Sequence, residues 1–135
     1  MNQIYITGLI KQKAKKDLVK KVTLFTLDKL MPRKRNLVID FSFGDIAGAE
    51  GYCLSISNNE YEIEMDKNLE GDDLITCIIH ELIHVKQYAR KELVDCEDGT
   101  FKWKGTEWND NSNEPWEDEA YTGQETMLEL YKLTQ

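Results

Sequence analysis

The stretch Leu74-Ile75-Thr76-Cys77-Ile78-Ile79-His80-Glu81-Leu82-Ile83-His84-Val85-Lys86-Gln87-Tyr88-Ala89 organises the rest of the chain. Its apolar residues recur at helical spacing, and Asp72-Asp73 just ahead of it supplies the acidic start a helix favours. A long helix is therefore expected from roughly Leu74 to Lys91. At about 100° per residue, Ile75, Ile78, Leu82, Val85 and Ala89 fall on one side, and Cys77, His80, Glu81, His84 and Tyr88 on the other. The first face suits a core. The second carries polar groups that a core would reject unless they had partners.

That polar face contains His80-Glu81-Leu82-Ile83-His84, two imidazoles one turn apart with a carboxylate beside the first, which is the H-E-x-x-H pattern of zinc hydrolases. These are the only two histidines among 135 residues. A catalytic zinc takes three protein ligands and keeps one position open, so the third must be a cysteine or a carboxylate. Glu114-Pro115-Trp116-Glu117-Asp118-Glu119-Ala120-Tyr121 offers it, with Pro115 suited to the first turn of a helix running to about Leu130. Trp116, Ala120, Gly123, Met127 and Leu130 form the expected inward stripe of that helix. Glu117 and Glu119 border the stripe from opposite sides, and helical geometry leaves both open as ligands. Cys77, one turn before His80, reads as a small buried residue rather than a ligand.

Working outward, a chain of 135 residues with 41% hydrophobic content fits a single domain spanning residues 1–135. Cys53, Cys77 and Cys96 are odd in number and unpaired in spacing, which argues against a disulfide framework and for a reducing compartment. The segment Met1 to Gly8 lacks the apolar core of a secretory signal, and no apolar run reaches spanning length; a soluble, cytoplasmic protein without membrane contact is expected. Residues 1–35 hold ten of the 17 basic and two of the 25 acidic residues, so the basic charge is concentrated at one end. Lys11, Lys13, Lys15, Lys16, Lys20 and Lys21 surround the amphipathic set Leu18, Val22, Phe25 and Leu30, the pattern of a helix with a solvated basic face, which also suits docking on the acidic remainder. No aromatics interleave the lysines, so nucleic acid is not an expected partner.

Strand signals occupy Gln3–Thr7, Asn36–Phe43, Tyr52–Ser57 and Tyr61–Asp66, the last two joined by the Asn58-Asn59 turn of a hairpin. Glu62, Glu64 and Asp66 alternate with Tyr61, Ile63 and Met65 and read as a solvated outer face; were they to line a cleft, they would favour basic peptides. Between the two ligand segments, Val94 to Asn113 contains a hairpin over Thr100–Trp108, placed as a rim or as packing over the helix ends.

The two ligand segments resemble the gluzincin metallopeptidases, in which H-E-x-x-H on one helix is completed by a glutamate on a later one. The chain is most similar to the compact minigluzincins and to small phage peptidases that share a tryptophan-containing hairpin and a P-W-E-x-E-A stretch. The resemblance covers about Asn36 to Leu130. It implies an α+β fold, with a small, twisted, mostly antiparallel sheet packed on the N-terminal helix, an active-site helix and a C-terminal glutamate helix. Its E-x-x-A frame selects Glu117, with Ala120 as the small residue, to join His80 and His84 around Zn²⁺. It implies peptide hydrolysis with Glu81 as general base and a peptide or protein substrate laid along an edge strand, here Tyr61–Asp66. Family members often carry Asp or Asn where this chain has Tyr121, whose phenol is then the candidate to bond a ligand or, like Tyr88, the reacting oxygen. A second expectation is a non-catalytic, zinc-stabilised interaction or regulatory protein, phage-encoded in kind.

Overall fold

A computed structural model describes residues 1–46, 48–108 and 114–135. The chain runs β1 (Gln3–Thr7), α1 (Lys13–Leu30), β2 (Val38–Gly44), β3 (Gly51–Ser57), β4 (Glu60–Asp66), α2 (Gly71–Ala89), β5 (Leu93–Asp95), β6 (Phe101–Trp103), β7 (Thr106–Trp108) and α3 (Pro115–Leu133). It is an α+β fold. A four-stranded sheet has the order β1-β2-β4-β3, and β5-β6-β7 form a second, antiparallel sheet. No described helix is long and apolar enough to cross a membrane.

The pairing departs from a mostly antiparallel main sheet: β1 and β4 both run parallel to β2, and antiparallel pairing there is confined to the β3–β4 hairpin. The connections explain this, because α1 carries the chain back between β1 and β2, the kind of crossover parallel neighbours need. At the end of β1, Gly8 has φ +93° and lies so near β2 that a Cβ would sit 2.0 Å from the Phe43 carbonyl oxygen, so only glycine lets the strand turn there. Asn59, at φ 68°, completes the β3–β4 turn.

Alternation divides the sheet into two faces. Ile39, Phe41, Phe43, Tyr61, Ile63 and Met65 are all buried and meet Val19, Val22 and Leu27 of α1 and Ile78, Ile79 and Leu82 of α2 in one core. Asp40, Glu62 and Glu64 lie on the opposite face, as their alternation predicts. The position of β4 differs from expectation. Paired with β2 on one side and β3 on the other, it is an interior strand, and β3 is the edge. Its alternation reports only that one face is buried, which is equally true of interior and edge strands in a one-sided sheet.

α2 begins three residues earlier than Leu74, so Asp72 and Asp73 lie within its first turn and Glu70 at its cap position. Glu70 pairs at 3.0 Å with Lys15 of α1, whose ammonium also donates to the Lys67 carbonyl at 2.8 Å. One lysine of the basic segment is thus docked on the acidic part of the chain. α3 crosses α2 closely enough that a Cβ on Gly123 would lie 3.0 Å from Ile83 Cδ1. Its inward stripe ends on Tyr131, 3% exposed and edge-on to Phe25 at 5.3 Å, whereas Leu130 is 38% exposed. Tyr131 stands four residues after Met127, so over 19 residues the 3.6-residue turn shifts the buried line by one position.

Candidate metal centre

α2 delivers His80 and His84 to the same side one turn apart, with ring centroids 4.9 Å from each other and the planes nearly perpendicular. α3 delivers Glu117 to meet them. Glu117 Oε1 lies 3.0 Å from Nε2 of each ring. Among the described residues, His80, His84 and Glu117 are the one group of three His, Cys, Asp or Glu side chains whose ligand atoms all lie within 4.8 Å of one another. The N···O separations are of the size spanned by two ligand atoms each about 2.0–2.2 Å from one ion.

The hydrogen bonds behind the rings state which atoms face the centre. Gln87 Nε2 donates to the Trp116 carbonyl at 2.9 Å and to Glu119 Oε1 at 3.0 Å, which fixes the orientation of that amide. Gln87 Oε1 therefore accepts from His84 Nδ1 at 2.8 Å, and Gln124, whose Nε2 donates to Glu125 Oε1 at 3.4 Å, turns its Oε1 to accept from His80 Nδ1 at 2.7 Å. Each Nδ1 keeps its proton, so each neutral ring turns an Nε2 lone pair toward the same carboxylate oxygen. Three electron-rich atoms converging on one point require a cation, either protons or a metal ion, and the donor set fits a metal ion.

The electrostatics express that demand. Burial opposes the charged form of both imidazoles, but hydrogen bonds to Glu117 and to the Gln124 and Gln87 amides outweigh it and raise both above the ordinary 6.5. The same hydrogen bonds from His80 and His84 hold the Glu117 carboxyl well below the usual range. Glu81 goes the other way: it is 5% exposed, and burial raises it despite the two imidazoles, with Glu117 adding to the rise. The edge strand closes over it, since a Cβ on Gly51 would lie 3.4 Å from Glu81 Cγ and 3.1 Å from Cys77 Sγ.

A cleft of about 760 Å³ spans the centre, with β3 residues Gly51 to Leu54 on one wall, His80, Glu81 and His84 at its base, and Glu117, Tyr121 and Gln124 opposite. Tyr121 is 60% exposed and its ring lies tilted against His80 at 4.7 Å. Tyr88 lines another part of the cleft, stacked on Tyr61 at 6.5 Å, and burial raises its phenol. Cys77 is buried outside the metal group, its thiol pushed up to about 12 by burial and then by Glu81.

The two candidate glutamates separate cleanly. Glu119 bonds Lys86 at 3.2 Å and Gln87 at 3.0 Å on α2 and does not line the cleft, while Glu117 takes the histidines. The start of α3 is anchored by Trp116, which packs with Phe101 at 5.5 Å, Trp103 at 6.2 Å and Trp108 at 6.3 Å. The expected hairpin thus exists as β6 and β7, turned by Lys104 and Gly105 at positive φ and extended by β5; of the connection to Asn113, residues 109–113 lie outside those described. Sequence reasoning overlooked Gln87 and Gln124. Their only signals are spacings, three residues after His84 and seven after Glu117, which return each amide to the face of its helix that carries the ligand.

No family model matches the chain, and neither a curated protein nor a solved structure matches it.

Proposed function

We propose that the chain is a zinc-dependent peptidase. The observation that carries the reading is the convergence of His80 Nε2, His84 Nε2 and Glu117 Oε1 in the lining of a cleft, with the Glu81 carboxylate buried beside them and outside the ligand set. Zinc in such a site polarises a carbonyl and eases the deprotonation of a water. Glu81 accepts a proton from the attacking water and delivers it to the amine as the C–N bond breaks, a role open to a carboxylate that holds no metal. Gln124 and Gln87 hold the imidazoles with Nε2 toward the centre. Tyr121, on the cleft wall, donates its hydroxyl to the oxygen that gains charge. The peptide lies along β3, the wall that is also an edge of the sheet among the described residues.

Metal analysis and cleavage of a mixed peptide library test this together. Native protein is expected to hold one equivalent of zinc and to cleave peptides. Glu117→Gln is expected to lose the metal, and Glu81→Gln to keep metal while losing turnover. Stoichiometric zinc with no cleavage of any peptide would assign the metal to holding α2 and α3 together in a non-catalytic protein.

A further inference from the structure

Among the described residues no helix packs on the outward face of the four-stranded sheet, and the charge of that face is one-sided. The register aligns Tyr5, Asp40, Glu62 and Leu54 in one row and Thr7, Ser42, Glu64 and Tyr52 in the next. Across the outward strand positions stand Asp40, Glu60, Glu62, Glu64 and Asp66, with no lysine or arginine. Toward the β3 edge the surface turns apolar, Leu54 being 45% and Ile56 52% exposed.

Among the described residues no strand pairs with that edge. Glu50 O accepts from Asp66 N at 3.0 Å, and Tyr52–Glu64 and Leu54–Glu62 continue the same register. In an antiparallel pair hydrogen-bonded and non-bonded positions alternate, so Gly51, Cys53 and Ser55 point their N–H and C=O groups away from β4. A strand added there lies one spacing beyond β3 and so about 10 Å from β4. Half of its side chains face α2 and the metal centre; the other half lie on the outward face beside Leu54 and Ile56.

We propose that β3 docks an extended peptide with lysine or arginine at the alternate, outward positions, their stems lying across Leu54 and their charged ends reaching Glu62 and Glu64. Only a long side chain with an apolar stem and a cationic end both covers the exposed strip and meets the acidic rows. Acidic side chains at those positions would face the carboxylates of Glu62 and Glu64. The docking rests on the peptidase reading for the fate of the peptide and not for its binding.

Two fluorescent decapeptides that differ only in lysine or glutamate at alternate positions provide the probe, titrated by anisotropy onto zinc-loaded Glu81→Gln protein. The lysine peptide is expected to bind at least about tenfold tighter at low salt, and Glu62→Gln with Glu64→Gln to bring the two within about threefold. N-methylation on one alternate set of backbone amides is expected to abolish binding and on the other to leave it intact, because only one set faces β3. Equal affinity for the two peptides, preference surviving the double substitution, or indifference to which set is methylated would each overturn the inference. Binding as described without cleavage by the native protein would sink the peptidase reading alone; cleavage indifferent to charge would sink the docking alone.

Discussion

The two walls of the cleft are built in opposite ways. On the α2–α3 wall each histidine has a second partner: His84 is held by Gln87, His80 by Gln124, and Gln87, fully buried, ties the Trp116 carbonyl and Glu119 of the neighbouring helix. On the β3 wall the outward side chains are about half exposed and, among the described residues, the strand has a neighbouring strand on one side only. On the proposed reading, chemistry that needs fixed distances sits where packing and hydrogen bonds over-determine the histidines, and recognition sits where a partner can complete the structure.

The contrast breaks first at Glu81. Glu81→Gln should lower turnover by about 10²–10⁴-fold with zinc content unchanged, measured by peptide cleavage and metal analysis. Trp116→Ala removes the anchor of the ligand helix and should cost about 3–5 kcal/mol by denaturant unfolding. Gln87→Leu should weaken zinc binding by about 10–100-fold in competition with a chelator, with Gln87→Glu recovering part of it by restoring an acceptor for His84 Nδ1. On the recognition wall, Leu54→Thr should raise KM several-fold and leave stability within about 0.5 kcal/mol, since the side chain is already exposed.

Acidity sharpens the same comparison. With zinc removed, the raised values of His80 and His84 add stability that is full below their ordinary 6.5 and is lost as pH rises through the folded values. The lowered value of Glu117 adds stability that is full above the ordinary 4.5 and is lost as pH falls through its folded value. These three groups therefore favour the metal-free protein most between pH 4.5 and 6.5, the interval from carboxylate to imidazole. Zinc binding has the opposite trend, weakening as acid returns protons to Nε2. Melting temperatures with and without chelator across pH 4–9 should diverge as pH rises.

The sequence made the rigid wall more legible than the open one. The helical pattern around His80 and His84 reports its own geometry, and the segment from Pro115 to Ala120 brought Glu117 and Glu119 into view, though choosing between them needed the pull of Lys86 and Gln87 on Glu119. Gln87 looks like a polar surface residue in a one-dimensional pattern; its burial follows from α3 supplying a carbonyl and a carboxylate to its amide. The strand order was hidden for a different reason. Tyr61–Asp66 alternates as any strand with one wet face does, and its interior place depends on where the chain lays β3.

Glu117 stands 33 residues beyond His84 and on the last helix of the chain, so the centre is complete only when α3 has docked on α2. An ion held there works as a clasp across a long loop of backbone. Stripping the ion should free α3 to exchange its amide hydrogens while the sheet beneath keeps its own.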